Sequence, residues 1–270
     1  MKLGISSWAF AWAIGVPGTS PARPLTALGL LQVAHALGVA VVQVADNLPL
    51  SRLLPSELDQ FDARARALGI AVEVGTRGID HRNLATYLSL ARRFHSPILR
   101  VVIDTATHRP GPDEVVSLLR AALPDFERAG VTLALENHDR FPARTLVDII
   151  ERLGSRHVGI CLDTVNSLGC MEGPELVVGE LGPYVVNLHV KDFSIRRPSH
   201  NMGFLVEGAP AGQGRLDVPW LLRELKVLGR DPNAILEQWP PPEPTLEETI
   251  AKEAAWAAES LRNLRMLIPD

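Results

Sequence analysis

The chain has 270 residues, with 27 Lys and Arg against 31 Asp and Glu, a formal net charge of −4, and 46% hydrophobic and 21% charged residues. These ordinary values exclude intrinsic disorder and a collagen-like fibre, and the mild acidity offers no footing for binding nucleic acid or an anionic membrane. The length suits one large domain, and two cysteines, Cys161 and Cys170, are too few for a disulfide scaffold.

In chain order, short β-branched runs alternate with helical patterns. Leu3–Ser7 reads as a strand, followed by a helix over Pro24–Leu37. Next come a strand at Val39–Ala45 and a helix at Pro55–Leu68, then a strand at Ile70–Gly75 and a helix at Asn83–Phe94. The pattern continues with Ile98–Asp104 and Asp113–Ala129, Val131–Glu136 and Ala143–Leu153, and Val158–Asp163 and Pro174–Glu180. It ends with Val185–Val190 and Val218–Leu228, then Ala234–Trp239 and Thr245–Leu267. Gly38, Gly69, Gly130, Gly154 and Gly229 follow helical segments, where glycine supplies the left-handed cap. Pro24, Pro55, Pro112, Pro174 and Pro219 sit near helix starts, where a missing N–H costs least.

Eight strand–helix units predict parallel strands with crossover helices, and hence a (β/α)8 TIM barrel as a single domain over residues 1–270; an open doubly wound sheet is the rival. Two observations favour the barrel. No GxGxxG or GxxxxGK[ST] loop follows the first strand. The strands also alternate. Leu3/Ile5, Leu99/Val101/Ile103, Val131/Leu133/Leu135 and Val158/Ile160/Leu162 share one parity, expected to face the helices. The other carries Gly4/Ser6/Trp8, Gln43, Glu73, Arg100/Asp104, Thr132/Glu136, Asp163, Asn187/His189 and Glu237, as a barrel interior leading to a site at its top would. The greasiest stretch, Leu28 to Ala45, is broken by Gln32, His35, Gly38 and Gln43, too polar for a membrane span. Met1–Ser6 lacks the basic and apolar segments of a secretory signal, so a cytoplasmic location is expected.

Four groups fall at successive strand ends: Glu136, Asp163, His189 and Glu237. In a parallel barrel these ends point the same way, which delivers three carboxylates and one imidazole to one spot. Buried carboxylates so close would repel and partly protonate unless a cation sat among them. Oxygen-rich ligation with one His suits Mn²⁺ or Mg²⁺, with Zn²⁺ or Co²⁺ admissible.

The stretches Leu133–His138, Gly159–Asn166, Leu188–Asp192, Gly212–Asp217 and Ile235–Glu237 resemble the xylose isomerase-like TIM-barrel superfamily of sugar phosphate isomerase/epimerase-like proteins. The resemblance implies that Glu136, Asp163, His189 and Glu237 are metal ligands. It also implies that Glu136 and Glu237 exchange protons on opposite faces of a substrate beside a polarised carbonyl. Asn166 stands where the family's ketose 3-epimerases carry a substrate-binding His, and His138 and Lys191 would reach the same cavity. The implied activity is a metal-dependent isomerase or epimerase of a sugar, sugar acid or sugar phosphate, in an assembly of two or four copies. Two departures weaken a free-ketose 3-epimerase: Pro142 stands where those enzymes carry Glu, and Ile195 where they carry Arg. The superfamily also holds decarboxylases and dehydratases of keto-sugar acids, so a metal-dependent lyase is the alternative. An AP-type DNA endonuclease shares the barrel, but it needs many more histidines and a basic groove.

Other residues carry competing readings. Glu73 and Arg100, on adjacent strands with inward parity, suggest an ion pair inside the barrel; alternatively Arg100 holds a substrate carboxylate or phosphate. Trp8, Trp12 and Trp239 follow the first and last strands, neighbours in a closed barrel, and would wall a sugar ring. Lys191 is expected to hydrogen-bond a substrate oxygen rather than form a Schiff base. Cys161 reads as core filler. Arg77, His108, Arg109, Arg196, Arg197 and His200 are loop charges that would make the rim attractive to an acidic sugar. Gly212-Gln213-Gly214 resembles a phosphate loop only superficially and reads as a loop that positions the next helix.

Overall fold

The computed structural model describes residues 1–269. Its strands are β1 Leu3–Ser6, β2 Val41–Val44, β3 Ala71–Arg77, β4 Ile98–Val102, β5 Thr132–Glu136, β6 Val158–Asp163, β7 Val185–Val190, β8 Asp192–Arg196, β9 Leu205–Ala209 and β10 Ala234–Leu236. The helices are α1 Ala11–Ile14, α2 Ala27–Ala36, α3 Pro55–Ala67, α4 His81–Arg93, α5 Pro112–Ala129, α6 Ala143–Leu153, α7 Pro174–Leu181, α8 Val218–Val227 and α9 Leu246–Arg265. Eight strands close a parallel barrel in the order β1-β10-β7-β6-β5-β4-β3-β2. All eight correspond to runs predicted from the sequence, and the eight predicted helices follow them.

Local chemistry explains the helix boundaries. Helix α2 starts at Ala27 rather than Pro24 because the Thr26 hydroxyl accepts from Gly29 N–H. Helix α4 starts two residues early because the Asp80 carboxylate caps it through Asn83 N–H. Helix α5 opens on Pro112 and is closed by Gly130 at φ 68°.

The segment from Phe193 to Gly214, expected as loop, holds all of the antiparallel hairpin β8–β9 but its first residue, Asp192. Its local alternation is weak, and its pairing is separate from the barrel, so strand period alone does not reveal it. The turn beyond it folds around one side chain. The Asp192 carboxylate accepts from the N–H groups of Gly212, Gly214 and Leu216 at 2.8–3.0 Å, and a Cβ at Gly214 would come within 2.1 Å of that carboxylate. The glycines of Gly212-Gln213-Gly214 therefore wrap an internal carboxylate, and their N–H groups are spent on it.

Residues at the outward parity, such as Ile5, Leu99, Val101, Leu133, Leu135, Ile160 and Leu162, are buried under the helices. Inside the barrel Ile98, Ala134 and Cys161 form a small apolar cluster with Val186. A register shift at Ile160/Cys161 brings Val186 against Gly159, where an added Cβ would meet it at 2.7 Å. The floor is polar, with Glu73 accepting from Gln43, Asn187 and Asn233. The expected Glu73–Arg100 ion pair is absent. In the β3–β4 register Arg100 lies opposite Gly75, two residues nearer the mouth than Glu73, and its long side chain runs on toward the mouth. There it meets Asp46 and Glu136. Among the described residues no helix is long and apolar enough to cross a membrane.

Helix α9 packs against β1, β10 and α1 and ties down the segment after β1. Glu253, fully buried, accepts from Trp12 N–H at 2.9 Å and Ala13 N–H at 3.0 Å. Burial pushes its carboxyl up from 4.5 to about 7, against the two backbone donors. Between those values the folded chain keeps a proton that the unfolded chain releases, so this group's contribution to stability falls as pH rises through that window. Melting curves from pH 5 to 8 are expected to show wild type losing stability relative to Glu253→Gln as pH rises; a pH-independent difference would refute the assignment.

Candidate metal centre and substrate cavity

The four strand-end residues meet at the C-terminal mouth of the barrel. His189 sits in the middle: its Nδ1 lies 3.4 Å from Glu136 Oε2, 3.4 Å from Glu237 Oε1 and 3.7 Å from Asp163 Oδ2. All four are essentially inaccessible to solvent. Candidate ligand atoms of Asp163, His189 and Glu237 all lie within 4.8 Å of one another.

Each ligand is oriented by its surroundings. Asp163 turns one oxygen back to its own loop, where Oδ1 accepts from the N–H groups of Val165 and Asn166, both at 2.9 Å. Asn137 braces the same strand end, donating to the Asp163 carbonyl and accepting from Asp163 N–H. Oδ2 is left facing the centre. Glu237 stands one residue past β10, and no backbone or neutral side-chain group donates to its carboxylate oxygens. Lys191 lies across the opening, its Nζ 2.7 Å from Asp163 Oδ2 and 2.9 Å from Glu237 Oε2. Glu136 differs from the others: its Oε1 accepts from Asn166 Nδ2 at 2.8 Å and its Oε2 pairs with the Arg100 guanidinium.

The electrostatics follow from this crowding. Burial disfavours a charged Asp163, yet the Lys191 ammonium and His189 outweigh it and hold the carboxyl below the usual range. Burial likewise opposes charge on Glu237, and His189, Lys191 and Arg100 lower its pKa overall. Burial also opposes a charged His189, but surrounding acidic groups, Glu237 and Glu136 among them, raise it well above the ordinary imidazole value. The centre thus selects positive charge. His189 Nδ1 and Glu237 Oε1 are buried without a hydrogen-bond partner, and Asp163 Oδ2 and Glu237 Oε2 meet the Lys191 ammonium. A donor set of carboxylate oxygens and one imidazole nitrogen, drawn together around a centre that favours positive charge, fits a divalent ion. Cys161 lies near Glu136 and His189, but burial pushes its thiol up to about 11 and its Sγ donates to Asn187, so it is filler, as expected.

The cavity above this centre is lined by the residues singled out in the sequence. Trp8, Arg77, Arg100, Glu136, His138, Asn166, Lys191 and Glu237 enclose about 130 Å³. An adjoining space of about 340 Å³ is bounded by Trp8, Val165, Asn166, Lys191, Gln238 and Trp239. Trp12 lies farther out, in a groove with Trp8 and Trp239, and its Nε1 donates to the Pro240 carbonyl. Most of the rim cations are engaged with neighbours: His108 with Glu114, Arg109 with Asp104, Arg196 with Glu207, and Arg197 over the Phe204 ring.

Asp46 is the residue that sequence reading passed over. It accepts from Arg77 Nε, Arg100 Nη1 and Trp8 Nε1, so it ties a strand-end tryptophan to two arginines. Burial opposes its charge, but the two guanidiniums hold its carboxyl well below the usual range. Its position just past β2 is the only sequence signal that pointed to it.

The fold and the site define a class of parallel barrel with its polar cluster at the strand C-termini. The sequence pattern of the xylose isomerase-like TIM barrel matches residues 31–265, and the chain belongs to that family. It is 35% identical to the 3-oxo-isoapionate decarboxylase of Pectobacterium atrosepticum over 266 residues, covering 98% of this chain and 95% of that protein. Two solved structures share the fold. One is a xylose isomerase-like TIM-barrel protein from Mycobacterium smegmatis in complex with magnesium: TM-score 0.72, 18% identity, 96% of each chain covered. The other is a D-psicose 3-epimerase in the presence of D-fructose: TM-score 0.74, 16% identity, 100% of each chain covered.

Proposed function

We propose that this chain is a divalent-metal-dependent decarboxylase of a 3-oxo sugar acid, the lyase alternative of the sequence reading. The observation that carries it is the state of Glu136, whose two oxygens are already held by Asn166 and by the permanently charged Arg100. An epimerase needs two carboxylates free to take a C–H proton on one face and return one on the other. Decarboxylation needs no base at that position, because the electron pair comes from the breaking C–C bond. The 35% identity to a decarboxylase over nearly the whole chain supports the same choice.

Asp163, His189 and Glu237 would hold the ion, with Glu136 beside them. When bound, the ion polarises the 3-oxo group and stabilises the charge that decarboxylation places on its oxygen. The chain's own residues supply the rest. As the C1–C2 bond breaks, its electron pair forms the C2–C3 double bond, charge collects on the 3-oxo oxygen and CO₂ leaves. Lys191, at the border of both cavities, delivers a proton to C2 and regains it from water. Asn166 and His138 face the same space as hydrogen-bonding groups for hydroxyls, and Trp8 and Trp239 wall it against water.

The test is to incubate Mn²⁺-loaded protein in D₂O with a panel of 3-oxo sugar acids and ketoses. CO₂ release with one deuterium at the former carboxyl-bearing carbon is the expected result. Solvent deuterium in a product of unchanged carbon count would instead make the chain an isomerase or epimerase and overturn the proposal.

A further inference from the structure

The polar floor of the barrel is joined to the centre at its mouth by one side chain. Gln43, fully buried on β2, donates through Nε2 to Glu73 Oε2 at 3.0 Å and to Asn187 Oδ1 at 2.9 Å. Its Oε1 is therefore turned toward His189, whose Nε2 lies 2.7 Å away. Rotating the amide by half a turn would set an oxygen against the Glu73 carboxylate and an NH₂ against the imidazole N–H, which penalises the alternative. Glu73 is itself held, its Oε1 accepting from Asn233 Nδ2 at 2.7 Å and its Oε2 also from Asn187 Nδ2 at 3.0 Å. Four strands, β2, β3, β7 and β10 through the residue before it, thus cooperate in the orientation of one amide.

We propose that Gln43, oriented by Glu73 and Asn187, is a positioning residue that keeps the proton of His189 on Nε2, so that Nδ1 presents its lone pair to a divalent ion between Asp163 and Glu237. An imidazole binds metal through an unprotonated nitrogen, and an acceptor on the far nitrogen selects that tautomer and locks the ring plane. Gln43 touches neither the cavity nor any proposed ligand except His189, so its influence passes through that ring. The inference rests on the metal-centre reading above, and its test separates the two.

The test uses full-length protein, stripped with chelator and titrated calorimetrically with Mn²⁺, beside ¹⁵N-histidine NMR of the same samples loaded with Mg²⁺ or left metal-free. Gln43→Met keeps the volume and removes the acceptor. It is expected to weaken Mn²⁺ binding about 10–100-fold. It should also abolish the slowly exchanging His189 Nε2 proton expected of wild type with and without metal. Glu73→Gln, which leaves Gln43 in place but frees its amide to rotate, is expected to move both readouts the same way by a smaller factor, and it stands in if Gln43→Met does not fold. A purely structural role would lower thermal stability while leaving affinity and the Nε2 proton as in wild type, and that result overturns the proposal. Should wild type bind no divalent ion, the metal reading fails. The positioning role is then judged on the Nε2 proton alone, and the absence of a protected proton on Nε2 overturns it.

Discussion

Replacing Glu237 with Gln is expected to lower turnover by about 10²–10⁴-fold through weaker charge stabilisation by the ion and to weaken divalent-metal binding, while the metal-free protein keeps its melting temperature. The reason lies in how little else holds this side chain. Glu237 Oε2 meets the Lys191 ammonium, no neutral group donates to either oxygen, and Oε1 faces the His189 ring at 3.4 Å. A neutral amide of the same shape removes one of the carboxylates crowded at the mouth, so the ion loses a ligand and the fold loses only the contact with Lys191. Isothermal titration with Mn²⁺, single-turnover rates and a melting curve together check this. Full activity with unchanged affinity would remove Glu237 from the site. A collapse of the fold would make it a structural residue.

The second large effect is expected from Arg100→Met. Arg100 is 2% exposed and bridges Glu136 and Asp46, two carboxylates that are themselves mostly or wholly shielded from water. Removing one member of a buried ion group leaves uncompensated charge and costs about 3–5 kcal/mol. The double variant Arg100→Met/Glu136→Gln should recover a substantial part of that loss, because the stranded charge at Glu136 is gone. Denaturant unfolding of wild type, both single variants and the double variant closes the cycle. Additive losses would show that packing, rather than charge, accounts for the cost. Arg100 was expected either to pair with Glu73 or to bind a substrate acid. It pairs with Glu136, a proposed ligand, and not with Glu73, and this pairing is what turns the functional reading toward a lyase.

Some residues were readable from the linear sequence and others were not, for separate physical reasons. Strand period, helix caps and the spacing of one strand–helix unit act over a few residues to a few tens of residues. They placed all eight barrel strands and put Glu136, Asp163, His189 and Glu237 at the same end of parallel neighbours, where the structure brings them together. The hairpin β8–β9 escaped because it pairs only with itself and follows β7 after a single residue. Asp46 escaped because its meaning depends on partners 31 and 54 residues away, reached across strands β3 and β4.

Alternation of apolar and polar residues was enough to set the barrel, its inward face and the chemical character of its mouth, since those follow from which side chains can leave water. Which inward groups touch was decided only when the sheet closed. Strand stagger set Arg100 beyond the reach of Glu73 and against Glu136, and it placed Gln43 between the Glu73 carboxylate and the His189 ring. Register is a property of neighbouring strands, and a shift of two residues exchanges one buried partner for another without altering the pattern of either strand.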